Sequence, residues 1–68
     1  MIEKHEIHQA MAGARVELEY MDDAFAPPSG TQGTITHVDG IGQIHVKWDN
    51  GSNLAIIPGE DVFRFLYN

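Results

Sequence analysis

The chain has 68 residues, enough for one small domain and too few for a second domain or a large catalytic cleft. Ten acidic residues against four basic ones give a net charge of -6, which opposes binding to a phosphate backbone, and the lack of cysteine removes disulfides and thiolate chemistry. No apolar run approaches the ~20 residues of a membrane-spanning helix. The opening MIEKHEIHQAMAG is too polar and acidic for a signal peptide, so a cytoplasmic location is expected.

Residues 2–12 are expected to form a short helix. Ile2, Ile7, Ala10 and Met11 approximate one face at helical spacing, and Gly13 is a plausible stop. The expected organisation is therefore a helical segment over 1–13 and a β-rich body over 14–68. A helix this short is marginal by itself in water and must dock on the body or on a partner.

From Arg15 the period changes to two. Val16, Leu18 and Tyr20 fall on one face, and Arg15, Glu17 and Glu19 on the other, which predicts a half-buried strand. Asp22-Asp23-Ala24-Phe25-Ala26-Pro27-Pro28-Ser29-Gly30 is a long excursion whose prolines forbid a central strand, with Phe25 as the expected anchor. Thr31-Gln32-Gly33 leads into a β-branched strand, Thr34-Ile35-Thr36-His37-Val38. Asp39-Gly40-Ile41-Gly42 has turn chemistry.

Gln43-Ile44-His45-Val46-Lys47-Trp48 alternates cleanly, with Ile44, Val46 and Trp48 inward and His45 and Lys47 outward. Asn50-Gly51 then predicts a type I′ hairpin with positive φ at both residues. Ser52–Ile57 is expected to return as a strand, Pro58-Gly59-Glu60-Asp61 to break it, and Val62–Tyr67 to form a fifth strand. Five short strands with one long loop suggest a sheet closed into a small barrel, which removes exposed edges. The expected core is Val16, Leu18, Ile35, Val38, Ile44, Val46, Leu54, Ile56, Phe63 and Phe65.

Gly30–Val38 followed by Gln43-Ile44-His45-Val46-Lys47-Trp48-Asp49-Asn50-Gly51-Ser52 resembles an SH3-like barrel of the KOW/Tudor sort, most visibly the mind-bomb/HERC type. The chain resembles more closely a bacterial and phage family known as domain of unknown function 4314. Arg15-Val16-Glu17-Leu18, Met21-Asp22-Asp23, Ala26-Pro27-Pro28, Trp48-Asp49-Asn50-Gly51-Ser52 and Ile57-Pro58-Gly59 carry that resemblance. Ala14 stands where threonine is usual and Ile35 where valine is common. The resemblance implies a mainly β fold, a small five-stranded SH3-like barrel with a short N-terminal α-helix, and a setting on phages and mobile elements. It implies no activity.

The aspartates form no Asp-x-Asp-x-Asp-Gly loop and read as caps and a solvated acidic rim. His5 and His8 would share a helix face, and His37 and His45 would lie on neighbouring strands, but three or four ligands in tetrahedral geometry are not evident. No metal and no cofactor is expected. Ser29 and Ser52 sit in turn chemistry without a nucleophile elbow, so no enzyme is expected.

Aromatic residues beside a long acidic loop are how SH3-like barrels recognise basic or proline-rich peptides. Tyr20, Phe25, Trp48 and Tyr67, flanked by Asp22 and Asp23, are the candidates for such a groove, with Tyr20, Asp22, Asp23, Phe25 and Trp48 the expected partner-binding residues. Trp48 has an alternative place in the core, because it continues the inward alternation of Ile44 and Val46. The expected function is non-enzymatic protein binding by a phage or mobile-element accessory that engages a protein partner, including a basic nucleic-acid-binding one. The alternative is a KOW-type barrel that binds nucleic acid directly, for which Arg15, Lys47 and Arg64 would have to form a basic stripe.

Overall fold

The computed structural model describes residues 12–66. Four strands, β1 (Arg15–Tyr20), β2 (Gln32–Val38), β3 (Ile44–Trp48) and β4 (Val62–Phe65), form one antiparallel sheet in the order β3-β2-β1-β4. The helix expected over residues 2–12 lies outside the described residues, except that Ala12 and Gly13 at its expected end form a turn. Gly13 has a φ of 87°, and its N–H extends the pairing of β1 with β2 by donating to the Ile35 carbonyl at 2.7 Å.

Val16, Leu18, Met21, Ile35, Ile44, Val46, Trp48 and Ile56 are buried, with Val38, Leu54, Phe63 and Phe65 packed against them. Every residue expected in the core is there. Val16, Leu18, Ile35, Ile44 and Ile56 are each at most 1% exposed, and burial of each such side chain contributes about 1.5–3 kcal/mol.

Two β-bulges decide which side chains leave that core. Leu18 pairs with Phe63 and Tyr20 with Val62, so Glu19 is an extra residue in β1. An unbroken alternation would point Tyr20 inward beside Leu18. The bulge reverses the faces: Tyr20 turns out to solvent, and Met21 takes the buried place. In β2, Ile35 pairs with Val46 and His37 with His45, so Thr36 is the extra residue. That is why Ile35 and Val38, three apart, both face the core.

β2 begins at Gln32, within the stretch expected only to lead into it, and its second residue, Gly33, lies between Val16 on β1 and Trp48 on β3. A Cβ there would stand 2.6 Å from Val46 Cγ1 and 2.9 Å from both the Lys47 carbonyl oxygen and Trp48 Cε3. Glycine is what lets the indole lie against the sheet.

The strand expected over residues 52–57, fourth of the five in chain order, is reduced to a single bridge, Ile44 with Ile56, so the sheet has four strands and not five. The cause begins at the hairpin. Asn50 does not have positive φ; Gly51 alone does, at 93°. The Gly51 N–H donates to the Trp48 carbonyl, and the Trp48 N–H to the Ser52 carbonyl, each at 3.0 Å. This is a three-residue loop, a type I turn closed by a glycine bulge, in place of the two-residue type I′ turn. Beyond it, side chains take the backbone groups that a ladder would use. Trp48 Nε1 donates to the Leu54 carbonyl at 2.8 Å, and the Leu54 N–H reaches Ser52 Oγ at 3.4 Å. Strand pairing resumes at Ile56, which exchanges both backbone bonds with Ile44 at 2.8 and 2.9 Å.

Pro58-Gly59 breaks the chain as expected, with Gly59 at a φ of 94° and the Asp61 N–H donating to the Ile57 carbonyl at 2.9 Å. The last strand ends at Phe65 rather than at Tyr67, which lies outside the described residues.

Candidate functional site

The segment between β1 and β2 is a long loop held at both ends. At its far end the Gly30 N–H donates to the Leu18 carbonyl at 2.7 Å, and the Leu18 N–H donates to the Thr31 carbonyl at 2.8 Å. Met21 and Pro27 are buried and Ala26 is half-buried, so these residues fasten the loop to the body. Phe25, expected to be the anchor, is 84% exposed and points into solvent.

Asp23 sets that direction. Its Oδ1 accepts the Phe25 N–H at 2.7 Å, and its carbonyl accepts the Ala26 N–H at 3.1 Å, which closes a turn with Phe25 near its apex. Asp22 is exposed, while its N–H donates to Asp61 Oδ1 at 3.0 Å. Asp61 is buried, and its Oδ2 accepts the Ile57 N–H at 2.8 Å. One carboxylate thus ties the start of the loop to the turn that precedes β4.

Tyr20 is 55% exposed and lies directly opposite Val62, which is 49% exposed; opposite residues of an antiparallel pair share a face. Ile57, 38% exposed, is held beside the start of β4 by its bonds to Asp61. Of the expected binding residues, Tyr20, Asp22, Asp23 and Phe25 are exposed at the end of β1 and along the loop that follows it, and the register sets Val62 opposite Tyr20. Trp48 is not among them. It is 1% exposed, its indole N–H is satisfied inside, and it occupies the core position that its alternation allowed.

The four bases of the chain include Lys4, outside the described residues, and three inside them. Arg15 is engaged by Asp49 through two bonds at 2.9 and 2.6 Å, and Arg64 by Glu17 through two at 3.1 and 3.0 Å. The Arg15 bond lowers the Asp49 carboxyl and raises the guanidinium in turn. The Glu17 carboxyl is lowered by the hydrogen bond from Gln32 and by that from Arg64. Among the described residues Lys47, on β3, is the base without a carboxylate partner. Among the described residues the carboxylates without a cationic partner are instead Glu19, Asp22, Asp23, Glu60 and the buried Asp61. Apart from Asp61, all are exposed, and all lie within three residues of Tyr20 or Val62.

A second polar group sits on the β2–β3 hairpin. His37 and His45 stack with ring centroids 4.2 Å apart and planes 7° from parallel. His45 Nε2 is 2.9 Å from Asp39 Oδ2. Asp39 Oδ1 accepts the Ile41 and Gln43 N–H groups at 3.1 and 2.9 Å, closing the turn. The His45 bond and these backbone N–H groups hold the Asp39 carboxyl below the usual carboxylate range. His5 and His8 lie outside the described residues, within which no group of three or more histidine, aspartate or glutamate side chains is placed to hold a metal ion. No helix of the described residues is long and apolar enough to cross a membrane.

Residues 5–66 match the family described as Domain of unknown function (DUF4314), and the chain belongs to that family. No curated protein and no solved structure matches the chain.

Proposed function

We propose that this DUF4314 member is a non-enzymatic protein-binding module, an accessory of a phage or mobile element, whose first loop and the adjoining Tyr20 contact a protein partner. The observation that carries this reading is Phe25: an aromatic ring held out in solvent on a loop that is pinned at both ends. A large ring on a pre-formed turn offers contact area at little ordering cost, which is what a recognition loop requires. The scaffold in this reading is an SH3-like barrel, supported by the return of the chain to β3 at Ile56 and the pairing of β4 with β1.

The pairing of Arg15 with Asp49 and of Arg64 with Glu17 supports a protein partner over a nucleic acid. A basic stripe would have to break both pairs, in a chain whose net charge is -6.

Affinity capture from a lysate of the source organism, read by quantitative mass spectrometry, tests the proposal. The full chain is compared with its Phe25→Ala variant. At least one protein should be enriched on the wild-type chain and lost on the variant, while far-ultraviolet circular dichroism of the two stays the same. Equal capture by both would remove the loop as the binding surface.

A further inference from the structure

Beyond Phe25, the same end of the molecule exposes an apolar strip that the sequence did not reveal. Tyr20 and Val62 sit side by side across the β1–β4 ladder, and the exposed Ile57 is bonded through its backbone to Asp61, the residue before Val62. Around the strip stand Glu19, Asp22, Asp23 and Glu60, none with a cationic partner. Elsewhere in the described residues the exposed Asp49 is matched by Arg15 and the half-buried Glu17 by Arg64. Ile41 is also exposed, on the β2–β3 turn, but among the described residues only around the Tyr20–Val62 pair does exposed apolar surface coincide with carboxylates that lack a cationic partner.

We infer that this strip receives a basic protein segment carrying a bulky apolar or aromatic side chain, with that side chain on Tyr20, Val62 and Ile57 and the flanking cations against Glu19, Asp22, Asp23 and Glu60. The inference rests on the reading of the domain as a protein-binding module and names the chemistry of its partner. Charge complementarity selects this occupant. A second copy related by a two-fold axis would set these carboxylates against their own counterparts. Nucleic acid and anionic membrane surfaces present negative charge to the same rim.

The experiment is to pan a random-peptide display library against the immobilised full chain, then titrate a labelled synthetic copy of the most enriched peptide. Wild type, Val62→Thr, Tyr20→Ser, Asp22→Asn with Asp23→Asn, and Lys47→Gln are compared at low and at physiological salt. Enriched peptides should combine lysine or arginine with a large apolar residue. Val62→Thr and Tyr20→Ser should each weaken binding by about tenfold, in line with the loss of a central apolar contact. The double aspartate variant should slow association and flatten its salt dependence, and Lys47→Gln should leave binding unchanged. Fluorescence of Trp48, the single tryptophan, reports that each variant keeps its core.

Enrichment of acidic, neutral or proline-rich peptides that still depend on Phe25 would overturn the basic-segment inference and leave the binding-module reading standing. Sedimentation showing a dimer that Val62→Thr dissolves would assign the strip to a second copy and overturn it as well. If no peptide is enriched and lysate capture is equally insensitive to Phe25, both the inference and the reading fall.

Discussion

The side chain of Asp61 accepts the backbone N–H of Asp22, thirty-nine residues away in sequence, at 3.0 Å, with its other oxygen on the N–H of Ile57 at 2.8 Å. Both bonds hold the end of the sheet where Tyr20 and Val62 meet. Asp61→Ala leaves two N–H donors without their acceptor near the protein interior. The expected loss is about 2–3 kcal/mol, because hydrogen bonds to charged groups are the stronger kind. That is a large share of the stability of so small a domain. Urea unfolding measures the loss, and amide exchange should accelerate first at Asp22 and Ile57. An unchanged midpoint would show that solvent replaces the carboxylate at no cost.

Gly33→Ala should destabilise the chain by about 1–3 kcal/mol, the usual cost of overpacking. The added methyl meets Val46, Trp48 and the backbone of Lys47, and a backbone contact cannot swing aside. Gly40, which has open space around it, is the control: Gly40→Ala should leave the midpoint of urea unfolding almost unmoved. The Trp48 emission of Gly33→Ala should also change, because the ring that covers Gly33 must move.

At the β3 turn, Gly51→Val should cost on the order of 1–3 kcal/mol, since a β-branched residue is strained at a φ of 93°. Asn50→Ala removes only the bond from the Ser52 N–H to Asn50 Oδ1 and should cost less. A type I′ turn would make both positions sensitive to a side chain. Thermal unfolding of the two variants separates these cases, and equal losses would contradict the three-residue loop.

The Asp39 carboxyl lies below its unfolded value, which is about 3.9. As acid is added the unfolded chain therefore takes up its proton first. The stabilisation from this group is present above the unfolded value, falls as pH drops through the folded value, and is absent below it. Glu17 and Asp49 act in the same direction. In Asp39→Asn the gap in stability from wild type should be widest near neutral pH and should close in strong acid. A gap independent of pH would mean that Asp39 acts through its turn geometry alone.

The core was legible because burial follows local alternation and side-chain chemistry: Ile44, Val46 and Trp48 face inward as their spacing in the chain requires. Turn residues were legible for the same local reason, since glycine supplies positive φ at Gly42, Gly51 and Gly59. Asp22, Asp23 and Phe25 could be found as a group because they are contiguous in a proline-bearing loop too long for a hairpin. The exposure of Phe25 was not legible, because only the folded structure shows that Met21 and Pro27, and not the aromatic ring, are the loop side chains that become buried. Nor were the exposures of Tyr20 and Val62. A bulge is a mismatch between two paired strands, so its position is a property of the pair and not of either sequence segment. The alternation in β1 places Tyr20 on the core face; the register against β4 turns it outward and sets it beside Val62. Composition and period determined that this chain builds a mainly β core, and only the tertiary pairing, through the extra residues Glu19 and Thr36, decided which side chains it leaves on its surface.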